Sequence, residues 1–312
     1  MMPRTQYLIV ELGTAHKIAF SPSEDRAAFI GNRDTSVLDL STRKRLFSRQ
    51  AIAHPSYLEF SPDGRRLVLK STSGRVVILD AESGRTVRDF HNQKDGEGSA
   101  ALFSICGHYV ITVSWGGLLS VRDSATTEQV FAYTQHGCVL DHLSAPADRR
   151  FFICSVGKPP KSDAEPPPPD KVLVYPWPFR ENGYRELSRA WSFICAMNVS
   201  PSGRFVGLIH GAPPETLEIY DIDHSEVLVT RQVSFGGTGC SLGWSADERL
   251  LAINGADRFR VLDTQDLPVK YEFPIRYPCF ASFSPSCKFL ALGSWQRSFV
   301  VLLDQLASFG KQ

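Results

Sequence analysis

One short pattern recurs seven times along the chain, and it constrains the fold more than any other feature. An apolar stretch ends near Phe-Ser-Pro, a polar turn follows, then a second apolar stretch, then a third that closes on Asp. The copies are Phe20-Ser21-Pro22; Phe60-Ser61-Pro62-Asp63-Gly64; Phe103-Ser104-Ile105; Leu143-Ser144-Ala145-Pro146; Val199-Ser200-Pro201-Ser202-Gly203; Trp244-Ser245-Ala246; and Phe283-Ser284-Pro285. Their first residues, at 20, 60, 103, 143, 199, 244 and 283, are separated by 40, 43, 40, 56, 45 and 39 residues. A period of this size marks a repeat architecture.

Each copy has the same physical content. Ser-Pro followed by Asp or Ser and Gly is turn chemistry, with Pro fixing φ and Gly supplying a positive φ. The runs after the turn, residues 27–31, 67–71, 110–114, 151–155, 205–209, 250–254 and 289–293, are short and mostly apolar, as in strands covered on both faces. The third strands end at Asp39, Asp80, Asp123, Asp221, Asp263 and Asp304, where a carboxylate can accept hydrogen bonds from the next turn. A small sheet of this kind cannot cover both faces alone, whereas seven arranged radially can. The expected fold is therefore all-β, a single seven-bladed β-propeller over residues 1–312. Only eight residues follow Asp304, too few for a fourth strand, so an N-terminal strand over residues 6–11 is expected to close the last blade.

These residues resemble the WD-repeat β-propeller family, and in particular its Phe-Ser-Pro-Asp-Gly variants. The resemblance runs along nearly the whole chain and is strongest over residues 58–85. Two departures stand out. The Trp of the Trp-Asp pair is replaced in Leu38-Asp39, Leu79-Asp80, Arg122-Asp123, Tyr220-Asp221, Leu262-Asp263 and Leu303-Asp304, and the Gly-His pair before the first strand is missing. The blades must then rely more on apolar packing. The resemblance implies a scaffold that docks proteins.

Charge narrows the partners. Lys plus Arg number 34 and Asp plus Glu 33, a net charge of +1, which disfavours a chain built to coat nucleic acid or an anionic membrane. No run approaches the length of a membrane-spanning helix, so no membrane insertion is expected. The apolar run near the N-terminus is too short for a signal-peptide core, and the seven cysteines include no C-x-x-C pair. Free thiols in a reducing, cytoplasmic setting are the expectation.

Chemistry-bearing motifs are sparse. Gly239-Cys240-Ser241-Leu242-Gly243 matches the G-x-S-x-G elbow of hydrolases, but that motif works only on a strand–turn–helix and here it runs into a repeat strand. The eight His are scattered with no H-x-x-x-H, and no set of His, Asp or Glu at equivalent repeat positions is seen to converge on the axis. No catalytic residue, metal or cofactor is expected.

Candidate contact residues come from the repeat itself. Twelve residues after each repeat's first residue lie Asn32, Thr72, Trp115, Ser155, Gly211, Ala256 and Trp295, expected together on loops at one end of the disc. Trp115 and Trp295 there are either interface anchors or folded over their own blades. Arg33, Arg258 and Arg297 lie beside them, and the loops before the first strands, expected at the same end, hold His54, Tyr57, His136, Trp191 and Tyr277. Residues 156–170 in blade four, with Pro166, Pro167, Pro168 and Pro169, form a Pro-rich protruding loop, either a docking finger or a tolerated insertion. The leading expectation is a non-catalytic adaptor that docks a protein through this end. A propeller enzyme or small-ligand binder with a site at the central channel is the alternative, and an inhibitor of a toxin is a further one.

Overall fold

A computed structural model describes residues 8–92, 100–158, 168–180, 183–235, 239–304 and 306. They form seven antiparallel sheets and no α-helix. The first six sheets each hold four consecutive strands. Blade 1 runs from Lys17–Phe20 to Arg45–Arg49, blade 2 from Pro55–Phe60 to Thr86–His91 and blade 3 from Ala101–Phe103 to Gln129–Thr134. Blade 4 runs from Val139–Ser144 to Arg185–Glu186, blade 5 from Ile194–Val199 to Glu226–Val233 and blade 6 from Leu242–Trp244 to Val269–Pro274.

Blade 7 joins the two ends of the chain. Its inner strand, Pro278–Phe283, pairs with residues 290–294 of the long segment Phe289–Leu302. Residues 294–301 of that segment pair with the N-terminal strand Leu8–Ala15. The segment doubles back on itself, since Leu303 N donates to Lys288 O at its ends (2.9 Å). The first strand of every blade touches the first strands of its two neighbours, so the ring is closed. The closure expected from the sequence is thus observed.

The apolar core sits in the seams between blades. Leu12 and Val300 of blade 7 pack with Ile18, Phe29 and Leu38 of blade 1, and each side chain of this kind contributes about 1.5–3 kcal/mol when fully removed from water. The inner strands alternate: Lys17–Phe20 reads half-buried, buried, half-buried, buried, and the half-buried set faces the axis. Among the described residues no helix is long and apolar enough to cross a membrane.

The repeated turn is the same in all seven blades. Its fourth residue after the repeat's Phe-type position has positive φ: Glu24 57°, Gly64 70°, Gly107 70°, Arg149 49°, Gly203 77°, Glu248 60° and Cys287 60°. For residues other than Gly this conformation costs roughly 1–2 kcal/mol. Each of the four exceptions uses its side chain to grip the preceding blade. Glu24 accepts from Ser286 N and Oγ, Arg149 donates to Phe103 O, Glu248 accepts from Ser202 N, and Cys287 Sγ accepts from Ala246 N. The expected Asp-capped turns are present too: Asp80 Oδ1 accepts from Ser83 N (2.7 Å) and Asp123 Oδ1 from Thr126 N (2.8 Å).

Blade 4 corrects the repeat register. Its strand pairing sets Ser144 against Ile153 after an irregularity between Asp141 and Ser144, and Arg149 N donates to Pro146 O. In blade 2 the corresponding donor and acceptor are Gly64 N and Ser61 O, so Ala145, not Leu143, is the equivalent of Phe60. Every blade 4 position counted onward from Leu143 therefore falls two residues early. Ser155 consequently lies inside the strand Phe151–Gly157, buried, rather than on the loop.

Candidate functional site

Backbone hydrogen bonds fix which loops share an end. Thr72 N donates to His54 O (3.1 Å), Gly211 N to Phe193 O (3.1 Å) and Trp295 N to Tyr277 O (3.1 Å). The loops between second and third strands therefore lie against the loops that precede the first strands. Together they form one face of the disc.

That face carries the exposed aromatic rings. Trp115 is 44% exposed, Phe193 60%, Tyr277 51% and Trp295 49%, and among the described residues no other Phe, Tyr or Trp is as exposed. The two indoles are each held from one side. The Trp115 indole N–H donates to Asp141 Oδ2 across the blade 3–4 seam (2.9 Å). Trp295 stacks on His16 of blade 1 with centroids 4.9 Å apart and planes 15° from parallel. His16 Nε2 is in turn 3.2 Å from Pro55 O, and burial holds its pKa below the ordinary imidazole value. Phe193 and Tyr277 sit at φ of 41° and 53°, directly before inner strands, a backbone shape that turns the side chain outward. His54, at φ 49°, occupies the same place in blade 2 and is exposed.

Of the other residues expected here, Arg33 and His136 are exposed on the same loops. Arg258 and Arg297 are committed within the chain: Arg258 binds Asp257 (2.7 Å) and Glu272 (2.7 Å), and Arg297 clasps both oxygens of Glu11 (2.8 and 2.7 Å). Pro168 and Pro169 are exposed, whereas Pro166 and Pro167 lie outside the described residues.

Two assignments need correction. Trp191 is 1% exposed, not part of the face. The last strand of blade 4 is only Arg185–Glu186, and the chain after it folds inward, so that Trp191 N and O pair with Asp170 (2.9 and 2.6 Å). The indole N–H then donates to Oε1 of the buried Glu218 (2.7 Å), and Arg189 donates to its Oε2 (3.0 Å). Burial alone would raise the Glu218 pKa, but hydrogen bonds and the Arg189 charge outweigh it and hold it low. Tyr57 is likewise not on a loop. It lies within the inner strand Pro55–Phe60 and faces the axis. Phe193, Tyr277's counterpart in blade 5, had no motif to announce it, although both stand six residues before their repeat's first residue.

The axis holds a cavity of about 740 Å³, lined from His16 at the loop face to Pro201, Ala246 and Pro285 at the opposite turns. Its walls are polar in part. Glu59 and Arg149 form an ion pair, and Phe103 N donates to Glu59 Oε2 (3.2 Å). Ser241, the central residue of the G-x-S-x-G match, stands at the start of an inner strand, and its Oγ accepts from Ala281 N (3.0 Å). Among the described residues no three of His, Cys, Asp and Glu gather as a metal site.

With this geometry in hand, the chain can be set beside known proteins. A family profile described as the anaphase-promoting complex subunit 4 WD40 domain matches residues 18–117, that is, blades 1 and 2 and the inner half of blade 3. No curated protein sequence matches the chain. Among solved structures, Kuenenia stuttgartiensis hydrazine synthase superposes with a TM-score of 0.76 over 97% of this chain and 99% of that chain, at 14% identity, a likeness of fold. Seven Phe-Ser-Pro-type repeats, the profile match and the closed ring of seven sheets agree: the chain is a seven-bladed β-propeller with WD40-like repeats.

Proposed function

We propose that the chain is a non-catalytic protein-interaction scaffold that docks a protein partner on its loop face. The observation that carries this reading is the placement of Trp115, Phe193, Tyr277 and Trp295, the most exposed Phe, Tyr and Trp side chains among the described residues, on one face. Aromatic rings bury large areas with few rotamers to freeze, and they dominate binding energy at interfaces. The closed ring supports them on strands that hold their shape, so little ordering entropy opposes docking. The matched family is, by its name, a subunit of a multiprotein complex, which accords with a docking role. The seven unpaired cysteines fit the cytoplasmic setting proposed with it.

The test is a comparative pull-down from native lysate. The double substitution Trp115→Ala and Trp295→Ala should lose partners that the wild type retains. A control, Ile105→Ala, removes an exposed apolar side chain from a turn at the other end and should retain them. Equal capture by wild type and double variant would place the docking surface elsewhere.

A further inference from the structure

The inner-strand position three residues before the repeat's Phe-type residue forms one level of the central cavity. In ring order it holds Lys17, Tyr57, Ala100, His142, Ala196, Ser241 and Phe280, taking Ala145 as the blade 4 reference. Lys17 is the cation of that level. Its ammonium lies 4.4 Å from the centroid of Tyr57 on one side and 4.4 Å from that of Phe280 on the other. The rings belong to the two neighbouring blades, so they hold the side chain from both flanks.

Among the described residues the Lys17 ammonium has no hydrogen-bond acceptor and no ion-pair partner. The nearest carboxylate of the wall, Glu59, is engaged by Arg149 and by Phe103 N. The nearby thiol of Cys279 is pushed up by burial to about 12 and stays neutral. The cavity wall therefore carries one uncompensated positive charge. Burial lowers the Lys17 pKa to about 8, which leaves the amine protonated at neutral pH. Around the level, Ala100 and Ala196 are short and leave space. Ser241 spends its oxygen lone pair on Ala281 N and keeps its O–H to donate.

A half-buried ammonium, flanked by two rings and facing the cavity without an acceptor, is an incomplete interaction, because a charge partly withdrawn from water favours a partner of opposite sign. We propose that this cavity binds a small organic anion with a single carboxylate, held by Lys17 with help from Ser241. One net positive charge matches a monoanion. The volume, about 740 Å³, lies within the range of small-molecule sites, and the alanine and ring surfaces offer an apolar wall to the rest of the ligand. This site is independent of the loop face and stands whether or not a protein docks there.

Benzoate is the probe, with benzyl alcohol as its neutral counterpart, both titrated calorimetrically into the full chain. Wild type should bind benzoate saturably and in preference to the alcohol. Lys17→Met should weaken benzoate about 10- to 100-fold, the range for losing a charged hydrogen bond, and abolish the preference. Lys17→Gln, which keeps a polar tip, serves as the second variant if the methionine protein does not fold. Ser241→Ala should weaken benzoate by a smaller factor. No saturable benzoate binding to wild type, or equal affinity in the Lys17 variants, would overturn the proposal.

Discussion

Replacing Lys17 by methionine should stabilise the fold, and the size of the gain follows from the surroundings of the side chain. Methionine keeps most of the aliphatic stem against Tyr57 and Phe280 and removes the charge. Burial lowers the Lys17 pKa from 10.5 to about 8, and the attraction of Glu59 recovers only part of that. At about 1.4 kcal/mol per unit, holding the charged form in the cavity costs roughly 3 kcal/mol. The two flanking rings return about 0.5–1 kcal/mol each. The net expectation is a gain of about 1–2 kcal/mol for Lys17→Met at neutral pH, read from urea unfolding without added ligand. The pH dependence has a definite sign. Below about 8 the amine is charged in both folded and unfolded chains, and the folded one bears the full cost. Between about 8 and 10.5 the unfolded chain binds more protons than the folded one, so wild-type stability rises relative to the variant. The gap between the two proteins should close across that window. Tyr57, Glu59 and Cys279, which face Lys17, are common to both proteins and largely cancel in the difference. A variant less stable than wild type at neutral pH, or a gap that ignores pH, would refute the reasoning. Lys17 would then be a structural residue held by its rings, not one kept at a cost to stability, as binding groups often are.

Two further perturbations probe the ring and the corrected site. At Glu24, φ is 57° and the carboxylate closes blade 1 onto Ser286 of blade 7, so Glu24→Gly loses the contact but relieves the backbone, whereas Glu24→Ala loses the contact and keeps the strain. Thermal unfolding should rank wild type above Gly and Gly above Ala, the last two separated by about 1 kcal/mol; an Ala variant as stable as the Gly variant would contradict the strain account. Trp191→Phe leaves the buried Glu218 without its indole donor and should cost about 1–3 kcal/mol of stability, measured by urea unfolding. The same variant should leave partner capture intact, and a loss of capture from a folded protein would return Trp191 to the docking surface.

The architecture was legible because a turn that must repeat leaves its residues behind. Pro fixes φ at the first step and the fourth position demands positive φ, so Phe60-Ser61-Pro62-Asp63-Gly64 could be matched to weaker copies elsewhere. Where the turn lost Gly, its place was taken by Glu24, Arg149, Glu248 or Cys287, and their compensation lies in the neighbouring blade, invisible to any one repeat. Blade 4 is the hardest to register for that reason: Arg149 does not look like a turn glycine, and Leu143-Ser144 matches the apolar-Ser pattern although Ala145 holds the Phe-type position. The loop face was half legible. Trp115 and Trp295 follow from counting within a repeat, but Trp191 and Phe193 are two residues apart, and which one turns outward depends on the positive φ at Phe193 and the buried carboxylate waiting for Trp191. Lys17 was the hardest to see, since a single lysine in a short strand has every reason to be solvated. Its meaning depends on Phe280, far away in sequence, becoming the neighbour of blade 1 on one flank while Tyr57 takes the other. That neighbourhood exists only because the N-terminal strand completes blade 7, so closing the circle both stabilises the fold and assembles the cavity that holds the charge.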